Sequence, residues 1–199
     1  VRQNLDFFAS LNGIDKSRID TVLEEVFLVE HQTKACKDLS RGLRQRAIIA
    51  RGLLHKPEVF FLDEPTSALD PHSAKMIRDL VLKLKSNGTT VFLTTHYMEE
   101  ADTLCDRLAI MNKGTVVACG SPQNLKKQFG RRSAKIDILR EQQQESLEFS
   151  LDNAEEKANM LQILGSSKII RIHTQEAKLE EVFMRVTGDE WKADSEEIQ

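Results

Sequence analysis

Two acidic residues follow an apolar run in the middle of the chain. Asp63 and Glu64 come directly after Val59–Leu62, and such a run, ended by charge, predicts a strand buried on both faces of a parallel sheet. Ligands of open α/β sheets bind beyond the carboxyl ends of these strands. A carboxylate there can hold Mg²⁺, and its neighbour can activate a water that attacks a phosphoryl group. The dipeptide by itself is also compatible with a simple strand end before Pro65.

A histidine stands at the corresponding place after a second apolar run. His96 follows Thr90–Thr94, and parallel strands end at a common edge, so we expect His96 beside Asp63 and Glu64. An imidazole at that edge can hydrogen-bond a terminal phosphate or the attacking water. The other histidines lie in no HExxH motif or Cys/His cluster, so we expect no zinc site.

A third candidate site begins at a predicted helix N-terminus. Ser40 and Gly42, with Arg41 and Leu43 beside them, place backbone N–H groups and the positive end of a helix dipole where they suit a phosphate. The alternative is an ordinary serine N-cap followed by solvated arginines, including Arg46. The residues alone leave both interpretations open.

Helical and strand patterns alternate along the chain and predict an α/β layer architecture. The predicted helices are Val1–Leu11, Lys16–Val29, one from Ser40, one from Asp70-Pro71 to Asn87, Met98–Cys105 and one opened by Ser121-Pro122. Lys113-Gly114 predicts a hairpin. After Gly130 the composition changes, and three short strand patterns with two helices predict a small α+β appendage.

Taken together, these residues resemble the ATPase subunit of an ABC transporter. The signature element matches Leu39–Leu43, the Walker B strand with its glutamate matches Val59–Glu64, the D-loop matches Ser67–Asp70 and the switch histidine matches His96. Order and spacing agree from Val1 to Gly130. The end of the appendage, Leu179–Gly188, is similar to the tail of drug- and lipid-exporting members.

The resemblance implies a domain arrangement. Residues 1–130 would be the C-terminal two-thirds of an ABC ATPase domain of the P-loop NTPase-like class. Within it, residues 1–55 would form the helical signature region and residues 56–130 the remaining catalytic core. Residues 131–188 would be the α+β appendage, and residues 189–199 an acidic flexible tail.

The resemblance also implies roles at the strand ends. Asp63 would hold Mg²⁺ through water, Glu64 would be the general base, and His96 would contact the γ-phosphate of ATP. ATP and Mg²⁺ are therefore the expected substrate and cofactor.

Further implied roles concern a head-to-tail dimer of two ATPase subunits. Ser40 and Gly42, with Arg41 and Leu43, would meet the γ-phosphate of ATP bound on the opposite subunit, and Asp70 would link the two halves. The family's signature usually carries glycine at the position of Arg41 and glutamine at that of Leu43. Arg41 therefore adds bulk and charge close to the phosphate.

The implied function is an ATP-hydrolysing subunit that powers an ABC exporter by ATP-driven dimerisation. It would work with a transmembrane permease at the cytoplasmic face of the cell membrane. A net charge of −3 gives no reason to expect a nucleic-acid partner. Two alternatives remain: a soluble ABC-type ATPase of translation or DNA repair, and a non-catalytic regulatory module.

The sequence lacks the phosphate-binding loop G-x-x-x-x-G-K-[ST], because none of its nine glycines is followed by lysine. We expect truncation just after the family's Q-loop, with a natural pseudo-ATPase as the alternative. In either case we expect the chain by itself to be inactive.

Overall fold

The computed structural model of the chain describes residues 1–140, 143–166, 168–175 and 177–188. The expected acidic tail, 189–199, lies outside the described residues. The described chain forms two compact units, which divide between Glu100 and Ala101. The expected domain limits at residues 55, 130 and 188 stay predictions.

The first unit has a helical part followed by a strand–helix–strand part. Its elements are α1 (Arg2–Leu11), α2 (Ser17–Glu25), 3₁₀ turns at Val29–His31 and Cys36–Asp38, α3 (Arg41–Leu53), β1 (Val59–Asp63), α4 (Pro71–Ser86) and β2 (Thr90–Thr94), and α5 (Met98–Leu104) crosses the division in sequence. The prediction that the second helix extends to Val29 was wrong. It ends at Glu25, and Phe27 has a φ of 57°, which no helical residue adopts.

Side-chain caps begin α3 and α4 where the sequence predicts them. The Ser40 hydroxyl accepts a 3.3 Å hydrogen bond from the Leu43 N–H, and the Asp70 carboxylate accepts a 2.9 Å bond from the Ser73 N–H. Pro71 occupies the first turn of α4, where its missing N–H costs nothing. Local chemistry therefore sets both helix starts.

The strands β1 and β2 pair in parallel, and α4 connects them. Their register runs from Val59 opposite Thr90 to Asp63 opposite Thr94, so both strands end at the same edge. One stripe of α4 is buried in the unit, and it consists of Ala74, Ile77, Leu80, Val81 and Leu84.

One face of this strand pair is exposed, so the prediction of a strand buried on both faces was wrong. Phe61 is 71% exposed and Phe92 is 61% exposed, with their ring centroids 5.5 Å apart. Leu62, on the other face, is 7% exposed. A sheet face is buried only where another layer packs on it, and in the described residues of this unit that holds for one face.

The N-terminal parts of α3 and α4 approach each other closely at Gly42. A Cβ added to Gly42 would lie 2.6 Å from the Cβ of Ser73 and nearer still to its Oγ. Real Cβ atoms do not approach other heavy atoms so closely, and the Cβ of Ser73, unlike its Oγ, cannot rotate away because it is bonded to the backbone. This contact therefore requires glycine at position 42.

The second unit contains a hairpin and a three-stranded sheet. Its elements are β3 (Leu108–Asn112), β4 (Thr115–Gly120), α6 (Pro122–Phe129), β5 (Ser133–Arg140), β6 (Gln143–Ser150), α7 (Ala154–Ser166), β7 (Lys168–Gln175) and α8 (Leu179–Thr187). Lys113 and Gly114 both have positive φ angles at the hairpin turn, as the tightest hairpins require. The strand order of the antiparallel sheet is β6-β5-β7.

The last helix joins the parts of this second unit. Leu179 and Val182 of α8 are buried, and α8 packs on α6. The Arg185 guanidinium donates to the Phe129 carbonyl at 3.1 Å, and the Asn112 amide donates to the Thr187 carbonyl at 2.9 Å. Apolar burial and polar contacts at its C-terminal turn thus hold α8 in place.

Two leucines of α4 test the buried stripe. Leu80 is 1% exposed and Leu82 is 42% exposed. We expect Leu80→Ala to lower the free energy of unfolding by about 2–5 kcal/mol, because it leaves a cavity, and Leu82→Ala to cost less than about 1 kcal/mol. Urea unfolding followed by circular dichroism measures both. Equal losses would contradict the assignment of the buried face.

The contact between α3 and α4 is tested by enlarging one side and reducing the other. We expect Gly42→Ala to destabilise the chain by about 1–3 kcal/mol, because the new methyl group overpacks against Ser73. Adding Ser73→Gly should restore part of this loss in a double-mutant cycle. The control is Gly165→Ala in α7, where a Cβ meets no atom within 4 Å. A Gly42→Ala loss that Ser73→Gly leaves unchanged would exclude this contact as the cause.

Candidate functional site

The common edge of β1 and β2 brings three of the predicted residues together. Asp63 ends β1 and Glu64 follows it, while His96 lies two residues after the end of β2. The Nδ1 atom of His96 is 3.2 Å from Oε1 of Glu64. The backbone N–H of Glu64 donates to the Thr94 carbonyl at 3.1 Å, which continues the strand pairing beyond Asp63.

Thr94 is a residue of this site that the sequence analysis missed. Its hydroxyl donates a hydrogen bond to Oδ1 of Asp63, and it accepts one of 3.1 Å from the N–H of Glu64. The signal that could have found it is the register, since Asp63 and Thr94 are direct partners across the parallel pair.

This edge of the sheet is open to solvent. The side chains of Glu64 and His96 are 48% and 54% exposed, and Asp63 is also exposed. The His96 ring packs against the ring of Tyr97 with centroids 4.1 Å apart. A ligand as large and polar as a nucleotide phosphate can therefore reach the carboxylates without displacing a packed side chain.

The carboxylates at this edge fit a magnesium ion that takes most of its ligands from outside the protein. In the described part of the chain, no three His, Cys, Asp or Glu side chains are grouped so that they could hold a metal by themselves. Mg²⁺ prefers oxygen, keeps several waters and is commonly held by one or two carboxylates plus phosphate oxygens. Asp63, oriented through one oxygen by Thr94, suits that mode of binding.

The predicted signature residues lie elsewhere, at the start of α3. Ser40 and Arg41 are exposed, Leu43 is half-buried, and Gly42 is buried against Ser73. The Ser40 hydroxyl already serves as the helix cap. The exposed residues at this helix end include Ser40, Arg41 and Arg44.

Arg46 departs from the solvated-arginine alternative. It is 6% exposed, and its guanidinium donates to the carbonyls of Val26 and Phe27 at 3.3 and 2.9 Å. Burial lowers the pKa of Arg46, while the charge of Asp70 acts in the opposite direction. Arg46 therefore ties α3 to the turn that follows α2.

Asp70 lies at the start of α4. Hydrogen bonds from the Ser73 side chain and backbone hold the pKa of Asp70 below its ordinary value, so the carboxylate is ionised at neutral pH. The residue is exposed.

The structure thus brings together Asp63, Glu64 and His96 at the sheet edge, whereas Ser40 and Asp70 cap two helices that meet through Gly42 and Ser73.

Sequence comparisons agree on one family. The sequence model of a family described as ABC transporter matches residues 1–67. A fluoroquinolones export ATP-binding protein of Mycobacterium tuberculosis is 38% identical over 187 residues, which cover 94% of this chain and 62% of that protein. A Nod factor export ATP-binding protein I of a Rhizobium species is 32% identical over 208 residues, covering 96% of this chain and 68% of that protein. A daunorubicin resistance ATP-binding protein of Streptomyces coeruleorubidus is 40% identical over 142 residues, 69% of this chain and 44% of that protein.

Solved structures give the same result. The cbiO1 protein of Clostridium perfringens, part of the ABC transporter complex cbiONQ, matches with a TM-score of 0.52 and 31% identity over 57% of this chain and 45% of its own. An ATP-binding subunit of an ABC transporter matches with a TM-score of 0.55 and 25% identity over 64% of this chain and 55% of its own.

The relatives are longer proteins than this chain. It spans 62% of the length of the M. tuberculosis relative. Among the described residues, no helix has both the length and the apolar character that crossing a membrane requires. The chain shares its α/β fold with solved ABC ATPases, and its relatives in sequence are export ATP-binding proteins. It therefore belongs to the ATP-binding proteins of ABC transporters.

Proposed function

We propose that this chain is part of a subunit that binds and hydrolyses ATP to power an ABC exporter. The observation that carries the proposal is the meeting of Asp63, Glu64 and His96 at one edge of a parallel strand pair. The names of the relatives support the direction of transport, because they describe export of fluoroquinolones and of Nod factor and resistance to daunorubicin.

Glu64 is the proposed general base. Its carboxylate is 48% exposed, so a water molecule and a phosphate can approach it, and Oε1 faces the imidazole of His96. The carboxylate then takes a proton from the attacking water, a role worth about 10²–10⁴ in rate. The proposed contact of His96 is the γ-phosphate, which its position beside Glu64 supports.

Asp63 is the proposed magnesium residue, acting through a bound water. Mg²⁺ supplies charge neutralisation on the phosphate oxygens when it is bound. Asp63 would hold the ion in a fixed orientation, because this residue is the last of β1 and one oxygen of its carboxylate accepts a hydrogen bond from Thr94.

A head-to-tail dimer with a second ATPase subunit completes the proposed ATP site. Ser40 and the residues up to Leu43 would face the γ-phosphate on the opposite subunit, where Arg41 adds a positive charge to the helix N-terminus. Gly42 lies against Ser73 and so fixes the N-terminus of α3 relative to α4. Asp70 would link the two subunits.

The remaining parts of the proposal concern partners and domains. A transmembrane permease would select the transported substrate and hold the subunit at the cytoplasmic face of the membrane. Residues 1–130 would supply the ATPase part and residues 131–188 the appendage. Co-purification with a permease from the membrane fraction tests the partner, and recovery with ribosomes or DNA instead would contradict it.

Nucleotide binding by the 199-residue chain itself is a direct test. The Gly–Lys phosphate-binding motif does not occur in these residues, so the backbone cradle and lysine that hold the phosphates are not supplied. We expect a Kd for MgATP weaker than about 1 mM, which corresponds to about −4.1 kcal/mol. Isothermal titration calorimetry measures it. Micromolar binding would show that these residues hold ATP without that loop.

The role of Glu64 is tested in a longer form that also carries the phosphate-binding loop. We expect Glu64→Gln to lower the rate of phosphate release about 10²–10⁴-fold, because the amide cannot accept the proton from water, and to leave ATP bound. The matched control is Glu58→Gln, just before β1, which should keep its activity. Unchanged turnover in Glu64→Gln would remove Glu64 as the base.

A further inference from the structure

The hydroxyl of Thr94 forms hydrogen bonds with both residues of the Asp63–Glu64 pair. It donates to Oδ1 of Asp63 and accepts from the backbone N–H of Glu64 at 3.1 Å. A hydroxyl can do both, because it has one donor and two acceptor lone pairs. The bonds cross between neighbouring strands and connect residues that are 31 and 30 positions apart in sequence.

The backbone at Glu64 needs such support. Its φ is 40°, in the left-handed region that a residue with a Cβ rarely adopts. The N–H of Glu64 is shared between the carbonyl and the hydroxyl of Thr94, each at 3.1 Å. The shared bond holds the turn by which the chain leaves β1, and that turn aims the Glu64 side chain toward His96.

The neighbouring threonine has a different task. The Thr95 hydroxyl donates to the Glu100 carboxylate at 2.9 Å and accepts from the Tyr97 N–H at 3.0 Å, so it organises the start of α5. Of these two consecutive threonines, Thr94 is therefore the one that bonds to the Asp63 carboxylate and to the Glu64 backbone.

We propose that Thr94 is a positioning residue that fixes Asp63 for metal binding and Glu64 for its role as base. This inference rests on the proposed function of the same site. Asp63 is exposed, so without the hydroxyl its carboxylate rotates among several orientations, and a metal must select one of them. Loss of a group that orients a ligand typically weakens metal affinity about 10–100-fold.

Thr94→Val is the sharpest test, because valine keeps the β-branched shape and removes the hydrogen bonds. Mn²⁺ serves as the probe on the 199-residue chain, with affinity read from paramagnetic broadening of the amide signals near Asp63. We expect Thr94→Val to weaken the Mn²⁺ Kd about tenfold and Thr94→Ser to keep it within about twofold. Thr90→Val, at the other end of β2, is the matched control and should leave the Kd unchanged.

Amide hydrogen exchange gives a second readout that needs no metal. We expect the Glu64 N–H to exchange about tenfold faster in Thr94→Val than in the wild type or in Thr94→Ser, because one of its two acceptors is gone. If valine disturbs the strand, as judged by circular dichroism, Thr94→Ala provides the same comparison.

The outcomes separate this inference from the proposed function. Thr94→Val with wild-type Mn²⁺ affinity and wild-type Glu64 exchange would overturn the positioning role. A wild-type chain in which Mn²⁺ broadens no signal near Asp63, even with ATP added to supply phosphate oxygens, would instead contradict the proposed magnesium role. In that case, faster Glu64 exchange in Thr94→Val would still support the positioning of Glu64 by Thr94.

Discussion

The parallel pairing of β1 with β2 is the constraint on which the site depends. Because α4 carries the chain back to the beginning of the sheet, both strands run in the same direction and deliver their following residues to one edge. The register sets Asp63 opposite Thr94 and brings Glu64 to His96. A slip of one residue would turn alternate side chains to the opposite face and separate the hydroxyl from the carboxylate.

A second constraint is the close contact between the starts of α3 and α4. Gly42 and Ser73 approach within a distance that no side chain at position 42 could share. The polar residues at both helix starts already have a structural role, since Ser40 and Asp70 each cap their own helix. The two helices therefore fix the positions of Ser40 and Asp70 independently of any contact that these residues make with a nucleotide or a second subunit.

The open character of the sheet edge suits a ligand that brings its own charges. Asp63, Glu64 and His96 are all exposed, and a phosphate with its magnesium ion would supply both the negative groups and the metal that this edge can accommodate. Tight binding of nucleotide then needs further groups that surround the phosphates. The proposed head-to-tail dimer with a second subunit would supply such groups.

Much of the local structure, and the grouping of the acidic pair with His96, could be predicted from the amino-acid order alone. Caps, prolines and apolar spacing act over a few residues, so neighbouring residues suffice to predict the starts of α3 and α4 and the turn at Lys113-Gly114. Long-range packing determines which face of β1 is covered, the burial of Arg46, and the hydrogen bonds by which Thr94 joins Asp63 to Glu64. These features depend on contacts between residues far apart in the chain, and burial or a cross-strand hydrogen bond exists only once the elements have packed.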